Sequence, residues 1–278
     1  MSNTPQPLRP EFGLIIVGDE IMSGKRADKH MPKTIELLGV RGLSLDWADY
    51  VGDSPERITQ TLKRAFDSHS IVFSCGGIGA TPDDHTRQCA ARALGEGLAL
   101  HPEAEVLIRS RMQDVAKEQG IPYEPDRDDN KHRLNMGVFP QSAKIIPNPY
   151  NKIPGFSCFG AHGGAVHFVP GFPVMAWPMM AWVLDTYYPH LFHANAWIEK
   201  SVVVFGAMEA TLTPLMEAIE LQFPGVKVFS LPSVDHPQWG KHIELGVKGE
   251  AQLSADAFVA LKTGLQPFQV EFGPEMVR

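Results

Sequence analysis

The stretch Ile71-Val72-Phe73-Ser74-Cys75-Gly76-Gly77-Ile78-Gly79-Ala80-Thr81-Pro82-Asp83-Asp84-His85-Thr86 decides the fold. Its first five residues are a short apolar run, the mark of a strand buried on both faces. A glycine-rich turn follows, then a helix near Asp84 to Leu94 closed by Gly95. Working outward towards the start of the chain, Phe12 to Val17 is a second apolar run, ending at Gly18. From Asp28 the pattern turns helical, with Met31, Ile35 and Leu38 on one face. Pro32 fits only in the first turn of that helix, which places its start near Asp28. Leu43, Leu45 and Trp47 alternate as in a strand, and Ser54-Pro55 reads as a helix cap followed by proline at the first helical position. Ile58, Leu62 and Phe66 continue that helix. Strand, helix, strand, helix, strand is the rhythm of a doubly wound α/β domain.

Towards the other end, Pro102 opens a helix that Gly120 closes, and residues 121–142 read as polar and irregular. Ala143 to Ile146 and Ala165 to Val169 are short strands, and Val174 to Tyr188 is a helix that must accommodate Pro178. The pattern restarts near residue 198. Val202 to Phe205, Lys227 to Leu231 and His242 to Val247 read as strands. Leu212, Leu215, Ile219 and Phe223 share one helical face, and Ala255 to Leu265 is a further helix. The expected organisation is a disordered tail over 1–10, a three-layer α/β domain with a mostly parallel sheet over 11–192, and a smaller α+β domain over 195–278.

The 278 residues are 44% hydrophobic and 21% charged, an ordinary globular composition. With 25 basic and 32 acidic residues the net charge is −7, and no basic stripe stands out, which argues against a nucleic-acid partner. A small phosphorylated ligand stays open, because backbone N–H groups hold phosphate without Lys or Arg. Cys75, Cys89 and Cys158 are odd in number and form no CxxC, so a disulfide scaffold or zinc site is not expected and a reducing cytoplasm is. Pro170, Pro173, Pro178 and Asp185 interrupt the most apolar region, so no membrane span is expected. The chain is expected to form a homo-oligomer, with Trp177, Trp182, Tyr187 and Tyr188 serving as core or subunit contact.

Two loops carry the chemistry. Gly76, Gly77 and Gly79 let backbone N–H groups turn inward at the start of a helix, where the helix dipole adds partial positive charge: an anion cradle. Asp83 or Asp84 can cap that helix. Of the two, Asp84 is expected to be functional and Asp83 mainly structural. Gly18, Asp19 and Glu20 end the first strand, and in open α/β sheets ligands bind beyond the carboxyl ends of strands. Asp19 and Asp84 are the candidate catalytic residues and candidate ligands for Mg²⁺ or another divalent metal. Gly18, Glu20, Gly76, Gly77, Gly79 and Asp83 are the candidate ligand-binding residues. Gly52-Asp53-Ser54-Pro55 reads as capping alone.

The segment Gly18-Asp19-Glu20-Ile21-Met22-Ser23-Gly24, then Asp28, then Gly76 to Thr86 resembles the molybdopterin-binding (MoCF) domain family. The closer branch contains the N-terminal regions of competence/damage-inducible protein A and of FAD synthase, and typically reads GDELL-x-G, then D-T-N, then TGGLGPTxDDxT. Asn148 to Phe156 and Val169-Pro170-Gly171-Phe172-Pro173 resemble its later N-x-x-G-x-x-P-G and LPGVP motifs. Here His30 stands for the usual Asn, and Ala80 for the Pro of GGLGPT. The 198–268 unit resembles the small KH-like domain that follows in that family, without a GxxG loop, so RNA binding is not implied. The resemblance implies that molybdopterin, or a related phosphorylated pterin or nucleotide, binds in the glycine loop, and it adds Thr81 and Thr86 to the candidate ligand-binding residues as hydrogen-bond partners of phosphate. It further implies nucleotidyl transfer or, in the closer branch, metal-dependent hydrolysis of a pyrophosphate in ADP-ribose or FAD-like molecules. A module that binds without turnover is the third expectation.

Overall fold

The computed structural model describes residues 10–193 and 197–278. The expected tail, but for Pro10, and the expected start of the second domain at residue 195 lie outside the described residues. The chain forms two compact units, one ending at Leu191 and the other beginning at Phe192.

The first unit runs β1 (Phe12–Val17), α1 (Asp19–Met22), α2 (His30–Gly39), β2 (Leu45–Val51), α3 (Pro55–Asp67), β3 (Ile71–Cys75), α4 (Thr86–Leu94), β4 (Leu98–Leu100), α5 (Pro102–Glu118), α6 (Asp128–Leu134), β5 (Val138–Pro140), β6 (Lys144–Ile146), β7 (Gly155–Phe159), β8 (Ala165–Val169) and α7 (Pro173–Tyr187). Its main sheet has the order β2-β1-β3-β8-β7-β6. The first four strands are parallel, and β7 and β6 return antiparallel. Every residue of β1, β3 and β8 is buried, as a parallel strand covered on both faces requires.

On one face Ile15, Val17, Val72, Val166 and Phe168 pack against Ile58, Leu62 and Phe66 of α3, Cys89 and Ala90 of α4, and Ile108 of α5. Phe139, Phe156 and Phe168 stack there with ring centroids 4.5 and 4.4 Å apart. Alternation sends Leu14, Ile16 and Phe73 to the other face, where α2 packs on β1 and α7 on β8. A polar chain is sealed in this unit: Ser157 Oγ lies 2.8 Å from His167 Nδ1, and the Tyr188 hydroxyl 2.7 Å from His167 Nε2. Burial lowers the His167 pKa to about 3, so the ring is neutral and serves one partner as donor and the other as acceptor.

Local chemistry explains the element ends. Ser54 caps α3, its Oγ accepting from Arg57 N–H, with Pro55 at the first position. The α2 helix begins at His30, and Asp28 sits just ahead of it, its carboxylate accepting from the N–H groups of His30 and Met31 at 2.8 and 3.1 Å. Gly95 closes α4 at φ 71°. The stretch read as irregular contains α6, a polar turn that hydrophobic periodicity does not reveal. Asn130, buried in it, donates to the Glu124 carbonyl at 2.7 Å. Pro178 lies inside α7 without ending it.

The second unit runs β9 (Trp197–Phe205), α8 (Glu209–Gln222), β10 (Lys227–His236), β11 (Gly240–Glu250), α9 (Ala251–Leu265) and β12 (Glu271–Val277). Its antiparallel sheet has the order β10-β11-β9-β12. Val202, Val204, Ile243, Leu245 and Val247 bury one face under Leu212 and Ile219 of α8 and Phe258, Leu261 and Leu265 of α9. The last strand is absent from the sequence reading because Gly273-Pro274 argues against a strand. The structure tolerates the pair at a sheet edge, within a register shift between Phe272 and Glu275. The second helix starts at Ala251, earlier than expected, because the Glu250 carboxylate accepts from Gln252 and Leu253 N–H.

Among the described residues no helix is long and apolar enough to cross a membrane.

Candidate functional site

The order β2-β1-β3 means that the chain leaves β1 to one side and returns on the other, so a crevice opens between the carboxyl ends of β1 and β3. Four loops meet that edge: 18–20 after β1, 52–54 after β2, 76–85 after β3 and 170–172 after β8.

The loop after β3 is held open by its own packing. Gly76 has φ 104°, and its N–H donates to the Val169 carbonyl at 3.0 Å. A Cβ there would lie 2.3 Å from the Val17 carbonyl oxygen. Gly77 has φ 69°, and a Cβ would lie 2.1 Å from Thr86 Oγ1. Only glycine meets both demands. Thr86 is fully buried and latches the loop: its hydroxyl donates to the Gly76 carbonyl at 3.1 Å and its N–H to the Gly77 carbonyl at 3.0 Å. Arg87, 4% exposed, donates to the Gly79 carbonyl at 2.7 Å and to the Asn135 carbonyl. Burial lowers the Arg87 pKa, and the Asp84 carboxylate opposes that shift.

These contacts consume carbonyl groups and leave donors free. The N–H groups of Gly77, Ile78 and Gly79 reach no acceptor among the described residues. Three successive free donors at a strand-to-helix turn are an arrangement in which backbone N–H groups can hold an anion.

The acidic residues divide differently from expectation. Asp84 Oδ2 accepts from the Thr81 N–H at 2.8 Å and from the Thr81 hydroxyl at 2.5 Å. The residue before α4 is His85, without a side-chain cap, so neither Asp83 nor Asp84 caps that helix. Asp83 is exposed. Asp19 and Asp53 close on each other: the Asp19 N–H donates to Asp53 Oδ2 at 2.9 Å, and the Asp53 N–H to Asp19 Oδ1 at 3.1 Å. Gly18 joins this turn through a 3.0 Å N–H bond to the Val51 carbonyl, and Glu20 folds back over Gly18. The capping role expected of the 52–55 stretch thus belongs to Ser54, while Asp53 turns to the site. Burial raises the Asp53 pKa. The Asp19 N–H opposes that shift, and the charges of Asp19, Glu20 and Asp83 add to it.

Among the described residues no three His, Cys, Asp or Glu side chains are grouped to hold a metal ion. Asp19 and Asp84 each commit an oxygen to their own turn.

Beside the glycine loop lies a cavity of about 350 Å³, lined by Ile16, Val17, Glu20, Arg26, Lys29, His30, Cys75 and Phe172 among others. His30 is buried, and its Nε2–H donates to the Gly171 carbonyl at 3.0 Å, tying the start of α2 to the loop after β8. Tyr50 donates to Asp28 at 2.8 Å. Burial and that carboxylate push its pKa up to about 12. Arg87 and Asp53 are the site residues that the sequence reading missed. A cation in the first turn of a helix opposes the helix dipole, and that anomaly is the signal Arg87 offered. Asp53 offered none, because its partner lies 34 residues away.

Known proteins are similar to this chain. A protein of Pyrobaculum calidifontis is 26% identical over 270 residues, covering 95% of this chain and 97% of its own length. A CinA-like protein of Syntrophotalea carbinolica is 28% identical over 222 residues, covering 76% of this chain and 50% of the relative, so the chain spans half of that protein. Among solved structures, the protein CinA with unknown function from Thermoplasma acidophilum matches with a TM-score of 0.52 at 26% identity, over 63% of this chain and 96% of that one. Residues 13–191, which hold the sheet, the glycine loop and the cavity, match the family described as "Probable molybdopterin binding domain", and the chain belongs to that family.

Proposed function

We propose that the chain binds a phosphorylated pterin of the molybdopterin kind, or a related nucleotide, with the phosphate on the loop after β3. The observation that carries this reading is the run of free N–H groups at Gly77, Ile78 and Gly79. In the proposal those donors hold the phosphate, Thr86 and Arg87 hold the loop, and Asp84 shapes its far end through Thr81. The Asp19–Asp53 pair fixes the neighbouring turn. Binding is the part of this reading that the loop groups carry; Asp19 Oδ1 and Asp84 Oδ2 serve their own turns.

The test is calorimetric titration of neopterin monophosphate and of unphosphorylated neopterin into the full chain. The phosphate form binds more tightly, and Gly77→Val removes that difference, costing about 1.4 kcal/mol or more, a tenfold loss. Equal affinity for the two forms sinks the proposal.

A further inference from the structure

The geometry points to a second ligand site, at the end of the sheet opposite the glycine loop, for a small primary amine bound as its ammonium ion. This site is independent of the binding reading above, because no residue of the glycine loop takes part in it.

A cavity of about 330 Å³ lies between α3 and the edge strand β2, lined by Glu11, Trp47, Asp49, Thr61, Arg64 and Ser70 among others. Its volume is that of a small-molecule site. Glu11 and Ser70 immediately precede β1 and β3, so the cavity opens at the amino ends of those strands, whose carboxyl ends carry the glycine loop. One wall is fixed by the sheet. Trp47 stands opposite Gly13 in the pairing of β1 with β2, and a Cβ on Gly13 would lie 2.2 Å from the indole. The indole therefore takes the space that a side chain on β1 would fill, and it packs on the core. With the buried Ala65 it forms the apolar part of the lining.

Thr61 is the side chain that calls for a ligand. On the same helix, Thr59 donates back to the Pro55 carbonyl at 2.7 Å, the usual resort of a helical threonine. Thr61 is 8% exposed, yet its hydroxyl bonds to none of the described residues. That hydroxyl is not sealed from solvent, so it opens on the cavity. Two carboxylates are held beside it. The Ser70 hydroxyl, on a residue 3% exposed, donates to Glu11 Oε2 at 3.4 Å, and Arg64 donates to Asp49 Oδ2 at 2.8 Å. The other oxygen of each carboxylate accepts from none of the described residues. Two carboxylates and one guanidinium leave the lining side chains with a net negative charge. An ammonium group has three donors and no acceptor, and Glu11, Asp49 and Thr61 offer it three acceptors beside an indole. A quaternary ammonium brings the charge without the donors. An anion would meet the charges of Glu11 and Asp49.

The experiment titrates phenethylamine and its trimethylammonium analogue into the ¹⁵N-labelled full chain. It follows the Trp47 indole N–H signal, assigned by its loss in Trp47→Phe. Phenethylamine should move that signal to saturation and bind about tenfold or more tighter than the analogue, which lacks the charge-assisted bonds. Glu11→Gln should weaken phenethylamine by about tenfold, through the loss of a charged acceptor. Thr61→Val should weaken it by about threefold, the effect of one neutral hydrogen bond. Glu11 is exposed and valine has the shape of threonine, so both variants keep the fold. Equal affinity for the two probes, or a Trp47 signal that does not saturate, overturns the inference. Unaltered phenethylamine affinity in either variant overturns it as well. The amides of Gly77, Ile78 and Gly79 should stay in place; their movement without that of Trp47 would put the amine at the glycine loop and end the proposal.

Discussion

The turn that joins the ends of β1 and β2 and the turn that follows β3 lie on neighbouring strands of one sheet edge, and they treat their backbone donors in opposite ways. In the first, the N–H groups of Asp19 and Asp53 are each taken by the other residue's carboxylate. In the second, a hydroxyl and a guanidinium donate to the carbonyls of Gly76 and Gly79, and the N–H groups of Gly77 to Gly79 are left without acceptors. A closed turn with acidic side chains repels an anion. An open turn with its carbonyls occupied and its donors free attracts one. The sheet supplies the same geometry to both, so the side chains that answer the backbone decide which turn keeps donors free for an anion.

The comparison breaks most severely at Arg87. Its 4%-exposed guanidinium supports two loop carbonyls. Arg87→Met leaves them unpaired in a dry setting, at an expected cost of about 2–4 kcal/mol. A thermal melt should fall by roughly 5–10 °C, and neopterin monophosphate binding should weaken with it. A melting temperature within a degree of the unaltered chain would show that the loop does not depend on this residue.

A smaller effect separates the closed turn from the open one by pH. The Asp53 pKa is raised in the folded chain, chiefly by burial. The folded state therefore holds its proton more tightly than the unfolded state does. That raised value costs stability as pH rises from the ordinary aspartate range, about 3.9, through the folded value, and the cost is fully present above it. Asp53→Asn removes the charge and keeps an oxygen for the Asp19 N–H. Its melting temperature should exceed that of the unaltered chain by about a degree at pH 7, a small gain because solvent screens the cluster. The difference should vanish below pH 4 or so. A variant that melts lower at pH 7 would mean that the carboxylate charge holds the turn.

The smallest expected effect sharpens the boundary of the cradle. The Ala80 N–H also reaches no acceptor among the described residues, and Ala80→Pro removes it. If the cradle ends at Gly79, neopterin monophosphate affinity should stay within about twofold, a change of roughly 0.4 kcal/mol. A tenfold loss would extend the cradle to residue 80.

The asymmetry between the turns was only half legible in the sequence. The glycine loop was readable because its cause is local: a buried strand, glycines and a helix start within sixteen residues of one another. The Ser54-Pro55 start of α3 was readable for the same reason. The Asp19–Asp53 closure was not, since it depends on β1 and β2 lying side by side in register, with Val17 opposite Val51. Asp84 was legible as part of a motif, but its service to Thr81 depends on a loop path that spacing does not specify. Thr86 read as a ligand contact because hydroxyls beside phosphate cradles often are. Its burial under Gly77 turns it inward instead. In the second unit, Gly273-Pro274 hid β12 because local propensity disfavours a strand that the neighbouring β9 edge recruits.

The most direct measurement is the response of individual backbone amides to phosphate. In a ¹⁵N-labelled full chain titrated with neopterin monophosphate, the N–H signals of Gly77, Ile78 and Gly79 should move downfield and saturate together, as donors taking up a charged acceptor. Those of Asp19 and Asp53, already bonded to carboxylates, should stay in place. Saturating shifts at Asp19 and Asp53 with none at residues 77–79 would contradict the account and move the anion site to the closed turn.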